Sequence, residues 1–326
     1  MRRTALLIAL VLAAGACSPA ESGDTTTSQA SSTTVVDTTT TPPETTTTLS
    51  SGFPVSVTDP NGEVTIEERP ERIVSLSATA TEMLFAIGAG DQVVAVDETS
   101  DYPEDVPTTE LSGYEPNIEA IAEYEPDLVV VSDDLGDVIA GLEAVEIAVI
   151  QQPVAQTLDD TYAQIEQLGA ATGHVAEAAG VVSDIQIGID DVLASIEAPP
   201  GASFYHELDN SFFSVTSETF IGLIYSLAGL VNIADAAEGA GTGYPQLSAE
   251  YIIDSDPDLI FLADTECCGE SPETVAARPG WGQLTAVSND SVIALDDDIA
   301  SRWGPRVVDL LAVIVDSVNA LDTSGS

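Results

Sequence analysis

The chain predicts an α/β protein of two lobes with mainly parallel central sheets and a ligand cleft between them. Three observations carry this. From Gly52 onward strand-like and helix-like segments alternate, the pattern of layered α/β units rather than of a bundle or sandwich. Residues 117–133 (Asn117 to Asp133) return as residues 248–264, with Glu119/Glu250, Ile121/Ile252, Pro126/Pro257, Asp127/Asp258, Leu128/Leu259 and Asp133/Asp264 identical. That period is far longer than the roughly 20–50 residues of solenoids and propellers. It reads as one helix–turn–strand unit used once in each of two lobes, and two lobes create a cleft in which ligands commonly bind.

Each element has a local reason. Val55–Val57 and Val64–Ile66 flank Asp59-Pro60-Asn61-Gly62, a hairpin signal. Ile73–Leu76 is a short apolar strand, followed by a hydroxyl-rich helix start at Ser77 to Glu82 and a helix running to Ile87, with a stop at Gly88. Val93–Val96 is the next strand. Asn117 caps the short helix of the repeated unit, and Pro126 separates that helix from strand Leu128–Val131. Thr157 to Glu197 is helical by its apolar spacing (Ile165, Leu168, Ala171, Val175, Ala178, Val182, Ile185, Ile189), interrupted at Gly173 and ended by Pro199-Pro200-Gly201. A second series follows: strand Phe204–Leu208, helix Thr219–Leu227 closed by Gly229, the second repeat copy, strand Val292–Leu295 and helix Val307–Leu321.

The N-terminus reads as an export signal. Arg2 and Arg3 precede the apolar stretch Ala5 to Ala14, and small residues lead to Cys17. The apolar run is about half the roughly 20 residues that a membrane-spanning helix needs. A cysteine after small residues resembles a bacterial lipobox, which makes Cys17 the expected lipidation site, although Ala14 stands where leucine is commoner. The Ser/Thr-rich stretch that follows lacks apolar periodicity and cannot bury enough surface to order itself. As a flexible tether of about 30 residues it would reach about 30 Å.

The chain carries 55 acidic residues against 7 basic ones, a formal charge of −48, and every basic residue is arginine. Nucleic acid and anionic lipid surfaces are therefore excluded as partners, since both require basic surface. Hydration in a saline or acidic exterior is the plain reading of such a charge. Each arginine beyond the signal then becomes informative. Arg69 and Arg72, ahead of the first core strand, are expected to be structural. Arg278 lies in an Arg-Pro-Gly-Trp turn. Arg302 and Arg306 enter the last helix, which Gly304 and Pro305 place as starting between them.

Several motifs, in order, resemble the substrate-binding proteins of ABC importers for ferric siderophores, haem and cobalamin. They are Val57-Thr58-Asp59 with Gly62 and Val64-Thr65-Ile66; Pro70-Glu71-Arg72-Ile73-Val74-Ser75-Leu76; Thr81-Glu82 with Gly88-Ala89-Gly90; Ser100-Asp101-Tyr102-Pro103; Asn117-Ile118-Glu119 with Glu125-Pro126-Asp127-Leu128; and Tyr244-Pro245-Gln246-Leu247-Ser248. The resemblance covers about residues 53 to 320 and rests on order and spacing. It implies two lobes joined by a single long helix and a stiff molecule with modest closure. The division that follows is a signal peptide at 1–16, a tether at 17–52, an N-terminal lobe at 53–173, a connecting helix at 174–198, a C-terminal lobe at 199–322 and a tail at 323–326. It further implies a monomer that hands its ligand to an ABC permease and its ATPase, with one glutamate per lobe docking on permease arginines. Those positions match Glu119 and Glu250, where helix-start carboxylates are also favoured by the helix dipole.

By the same resemblance the cleft is lined by the loop after Val96, the segment before Asn117, the loop after Leu208, and residues near Tyr244 and Asp298–Arg302. Expected ligand contacts are Tyr102, Tyr114, Phe213, Tyr244, Asp298, Arg302 and Trp303; the aromatic faces suit a large flat ligand. Thr99 and Gly113 stand where cobalamin binders carry aromatics. Arg302 can pair with an anionic ligand through its planar fork, or with Asp297 or Asp298. With so few cations available, a neutral or weakly charged ligand is at least as compatible. Cys267-Cys268 allows a vicinal disulfide, two free thiols or soft metal ligands. His174 is expected at the surface in the helix break, and His206 inside a strand as a satisfied core histidine. No nucleophile elbow, phosphate loop or HExxH pair is present, so neither enzyme activity nor a cofactor is expected. Two histidines in unrelated segments do not make a zinc or manganese receptor. A surface sensor or adhesin on the same fold is the alternative.

Overall fold

The computed structural model describes residues 52–323. The expected signal segment, Cys17 and residues 17–51 of the tether lie outside the described residues. Strands β1 (Val55–Asp59) and β2 (Gly62–Ile66) form an antiparallel hairpin in register from Val55↔Ile66 to Asp59↔Gly62. Its turn is held by Asp59, whose Oδ1 accepts from the amides of Asn61 and Gly62.

The first lobe has a five-stranded parallel sheet of β3 (Ile73–Leu76), β4 (Val93–Asp97), β5 (Thr108–Leu111), β6 (Leu128–Val131) and β7 (Ala148–Gln151), in the order β5-β4-β3-β6-β7. Helices α1 (Ala78–Ala86), α2 (Ile118–Ala122) and α3 (Val138–Glu143) connect its strands. Chain direction across the sheet reverses between β3 and β6. In open α/β sheets that switch point, at the carboxyl ends of the strands, is where ligands bind. Next come α4 (Leu158–Thr172) and α5 (Val175–Ala194).

The second lobe has a four-stranded parallel sheet of β8 (Ser203–Glu207), β9 (Val231–Asn232), β10 (Leu259–Leu262) and β11 (Val292–Ala294), in the order β11-β10-β8-β9. Around it lie α6 (Phe220–Leu227), α7 (Ala249–Ser255), α8 (Thr265–Cys268), α9 (Pro272–Ala277), α10 (Thr285–Ser288), α11 (Asp297–Ser301) and α12 (Val307–Thr323). The fold is thus the α/β arrangement with two mainly parallel sheets that the sequence predicts.

β3, β6 and β10 are buried along their whole length, as strands covered on both faces must be. Alternation along them sorts side chains between layers. Leu128 and Val130 join a central core, whereas Val129 and Val131 pack with Ile121, Val138 and Leu142 on the outer face of the first lobe. Phe204 and Phe261 of the second sheet belong to the same central core, with Met83 and Leu84 of α1 and Leu311, Ile314 and Val315 of α12. α5 threads that core. Its buried stripe, Ala178, Val182, Ile185 and Ile189, has helical spacing, and α5 packs on both α4 and α12. One continuous core, rather than a hinge of open strands, therefore sets the distance between the sheets.

Local reasons fix the ends of these helices. Ser77 Oγ accepts from Ala80 N at the start of α1, and Gly173, at φ +79°, closes α4. One expectation needs correction. His174 is not at the surface: it is half-buried, its Nε2 3.1 Å from Arg69 Nη2, because Arg69 folds over the α4–α5 break and also donates to Thr172 O. The last helix starts at Val307, the residue predicted for it, just past Arg306 rather than between the two arginines. Arg72 is structural, donating to the carbonyls of Tyr124 and Glu125.

Candidate functional site in the cleft

A cavity of about 500 Å³ opens at the carboxyl ends of β3, β4 and β6, at the switch point of the first sheet. The first lobe supplies Ser77, Thr79, Asp97, Thr99, Gly113, Tyr114, Ser132, Asp133 and Leu135, together with Val154. The second lobe closes it with Asp298, Ser301, Arg302 and Trp303.

The floor is rigid for reasons written locally in the chain. Thr81 Oγ lies 2.9 Å from Ser75 Oγ and 3.0 Å from Ser100 Oγ, and Ser100 Oγ donates to Asp97 Oδ1. Thr99 Oγ donates to the other oxygen of Asp97 at 2.7 Å. The buried hydroxyls of α1 and of the loop after β4 thus fix the Asp97 carboxylate at the strand end. Gly113 lets the next loop press down on it. A Cβ at this position would lie 2.6 Å from Leu76 O and 3.2 Å from Asp97 Oδ2, so an aromatic at 113 would require the backbone to move.

Between the lobes lies an ion cluster centred on Glu82, which is buried at 3% exposure on α1. Arg302 Nη1 donates to Glu82 Oε1 at 2.9 Å, and Arg306 donates to both Glu82 oxygens through Nε at 3.0 Å and Nη2 at 2.6 Å. Arg302 Nη2 also reaches Thr99 O at 2.9 Å, Asp101 at 3.0 Å and Asp298 at 2.5 Å. Burial pushes Asp298 up to about 6, with Asp101 adding to the rise and Arg302 opposing it. Burial alone would raise Asp101, but the Arg302 guanidinium brings its carboxyl below the usual value. Trp303 Nε1 donates to Gln164 of α4 at 2.9 Å. This bond and those of Arg302 and Arg306 to Glu82 tie the segment between α11 and α12 to the first lobe.

Tyr114 (73% exposed), Asp298, Arg302 and Trp303 line the cavity together, beside Thr99 and Gly113. The other three expected contacts lie outside its walls. Tyr102 sits beneath Arg306, with the guanidinium 4.1 Å from its ring centre. Phe213 and Tyr244 are exposed on two loops of the second lobe that pair with each other through Ser214 N to Pro245 O and Leu247 N to Phe212 O. Glu119 and Glu250 are exposed in the first turns of α2 and α7. Each helix enters a parallel strand, so its N-terminus stands at the carboxyl-end rim of its sheet.

At the carboxyl end of β8, in the second sheet, lies an ion cluster. Arg278 grips Glu207 at 2.7 and 2.5 Å and Glu270 at 2.8 Å, and packs over Trp281 and Phe212. Beside it Asp264 is fully buried, with no hydrogen-bond partner on either carboxylate oxygen among the described residues. Burial, reinforced by Glu207, pushes it up to about 7. Cys267 and Cys268 form a vicinal disulfide in the exposed helix α8, whose first amides are capped by Asp297. His206 is buried, 2.8 Å from Tyr225 Oη, and burial lowers it to about 3, so it is a neutral core residue away from the cavity. Among the described residues no group of three or more His, Cys, Asp or Glu is placed to hold a metal, and no helix is long and apolar enough to cross a membrane.

Sequence reasoning missed Glu82, Asp97, Ser132 and Asp133. Glu82 had a signal, a single acid in an otherwise small and apolar helix. Asp97 ends β4 and Asp133 follows β6 by two residues, the place where the walls of an α/β cleft arise.

Comparison with known proteins agrees with this geometry. The periplasmic binding protein family matches residues 73–299. An uncharacterized ABC transporter substrate-binding lipoprotein of Bacillus subtilis is 28% identical over 96% of this chain and 95% of its own length. A vitamin B12-binding protein of Pectobacterium carotovorum is 30% identical, over 79% of this chain and 91% of its own. A crystal structure described as an ABC-type Fe3+-hydroxamate transport system from Saccharomonospora viridis superposes with a TM-score of 0.63 at 26% identity, covering 81% of this chain and 99% of the other. With two parallel sheets, a cavity at the strand ends and a family match across both lobes, the chain belongs to the periplasmic binding protein family of ABC transporter substrate-binding proteins.

Proposed function

We propose that the protein is an extracytoplasmic receptor, tethered by lipid at Cys17, that captures a metal chelate or corrinoid and delivers it to an ABC permease and its ATPase. One observation carries this reading: the cavity at the switch point of the first sheet, closed by residues 298–303 of the second lobe. Its size suits a bulky ligand held between lobes, since small-molecule sites usually span about 300–1,000 Å³. The vitamin B12-binding and Fe3+-hydroxamate relatives support the ligand class. Tyr114 and Trp303 supply aromatic surface on opposite walls, and the Glu82–Arg302–Arg306 cluster keeps those walls at a set distance.

Glu119 and Glu250 are the docking acids in this reading. They occupy equivalent positions of the internal repeat, both exposed at the rims, so a transporter with two-fold symmetry can be gripped at two points, with charge guiding the encounter. Replacing both by alanine is expected to abolish uptake in cells while leaving ligand affinity unchanged. Uptake that survives the double substitution refutes the docking role. A thermal-shift screen against cobalamin, haemin and ferric siderophores tests capture itself. A ligand at a hundredfold excess over its Kd adds about 2.7 kcal/mol of stability.

A further inference from the structure

The charge of the cleft narrows the ligand further, on the reading that the cavity is a capture site. The lining residues include three carboxylates, Asp97, Asp133 and Asp298, and one cation, Arg302. That cation is already engaged by Glu82, Asp101 and Asp298. Arg306, the nearest other cation, is committed to Glu82. Asp97 is held in place by two hydroxyls, and Asp133 is exposed on the wall with no ion pair or hydrogen bond from its side chain among the described residues.

We propose that the cleft selects a neutral or cationic ligand rich in N–H or O–H donors, such as a ferric hydroxamate chelate with an ammonium arm or an amide-decorated corrinoid, and rejects polyanionic chelates and dicarboxylate porphyrins. A polyanion would meet the exposed Asp133, with the buried carboxylate of Asp97 also in the cavity wall, and no free cation opposite. To recruit Arg302 it would have to strip that arginine from Glu82, leaving a buried carboxylate with less compensation, which is strongly unfavourable. A donor-rich ligand instead satisfies the acceptors already on the walls. Juxtaposed like charge is the usual means by which a site refuses wrong partners. Asp133 is the specificity-determining residue in this scheme, because it is exposed on the cavity wall and its carboxylate has no bond among the described residues.

Equilibrium binding to the purified protein tests this, with three probes: a ferric trihydroxamate bearing one free ammonium, a ferric tris-catecholate of similar size, and haemin. The trihydroxamate is expected to bind at least ~100-fold more tightly than either anion, and its affinity to fall as salt is raised. Asp133→Asn is expected to weaken the ammonium-bearing probe by about threefold to tenfold and to reduce its salt dependence, without changing the unfolding temperature. A scaffolding role for Asp133 would move the unfolding temperature and leave the salt dependence alone. Tris-catecholate or haemin binding as tightly as the trihydroxamate overturns the charge selection while leaving capture intact. Failure of all three probes and of cobalamin to bind overturns the capture reading, and the charge selection falls with it.

Discussion

The two copies of the repeated unit agree at every scaffolding position and part at their last residue. Asn117 Oδ1 and Ser248 Oγ each accept from the amide three residues on, both at 3.1 Å. Ile121 and Ile252 are both fully buried. Glu125 and Asp256 both adopt left-handed backbone, at φ 48° and 42°. Asp127 accepts from the amides of Glu71 and Arg72 just before β3, and Asp258 accepts from the amide and hydroxyl of Ser203 at the start of β8. In both lobes, then, the aspartate after proline pins the neighbouring first strand. Asp133, by contrast, lies open on the cavity wall, while Asp264 is sealed under Arg278, Glu207 and Glu270. Duplicated units keep what their own packing requires. The residues beyond the strand ends take whatever role the following loops leave them, and here that puts the first copy's aspartate on the cavity wall and the second copy's in the interior.

Substitutions can break or sharpen this contrast. The largest effect is expected for Arg278→Ala, which strips the cation from Glu207, Glu270 and Asp264 at the end of the second sheet. Removing one partner of a buried pair costs about 3–5 kcal/mol, readable as a lower denaturation midpoint. An unchanged midpoint would mean that the second lobe is not held by its ion cluster.

Next is Asp264→Asn. Because the folded carboxyl is raised from 3.8 to about 7, the native state binds the proton more tightly than the unfolded chain. Its burden on stability therefore grows as pH rises from about 4 through 7. The asparagine variant is expected to gain on the order of 2 kcal/mol over the parent at pH 8 and nothing at pH 4. The difference between the two proteins is the measurement, because His206, lowered to about 3, makes the parent lose stability on acidification through the same range. Asp133→Asn, the matching change in the first lobe, is expected to stay within about 0.5 kcal/mol of the parent, as a surface substitution does. Equal responses from the two would erase the distinction.

Asp258→Ala is expected to cost about 2 kcal/mol and Asp127→Ala about 1 kcal/mol, since each removes a charged acceptor from the start of a central strand and Asp127 is the more exposed. The smallest effects belong to the caps. Asn117→Ala and Ser248→Ala should each lower stability by about 0.5–1 kcal/mol, and similar values would confirm that the two helix starts are equivalent.

Much of this architecture is legible locally. The helix starts at Ser77, Asn117, Thr219 and Ser248 each carry a capping side chain, and the breaks at Gly173 and Gly229 carry positive φ. Strand β5, Thr108–Leu111, gave no signal, because an edge strand with alternating exposure needs no apolar run. Strand β7 falls in the apolar segment Ile147–Ile150, too short to separate from a helix turn by periodicity. Among the short helices around the second sheet, α8 and α10 depend on tertiary caps, from Asp297 and Asp256 respectively, which no local pattern reveals. In the site, Tyr114, Asp298, Arg302 and Trp303 were legible through resemblance and fell together. Tyr102 was drawn away by Arg306, a residue about 200 positions distant.

The two α/β lobes, the repeated unit and the acidity follow from local sequence, because helix caps, buried strand runs and charge are properties of short segments. Which acids meet which arginines is a matter of long-range packing. Glu82, Arg302 and Arg306 come from opposite ends of the chain and find one another across the cleft, as do Glu207 and Arg278 within the second lobe. Those few cations are consumed in holding the molecule together, and the packing that consumes them leaves Asp133 on the cavity wall without an ion pair among the described residues.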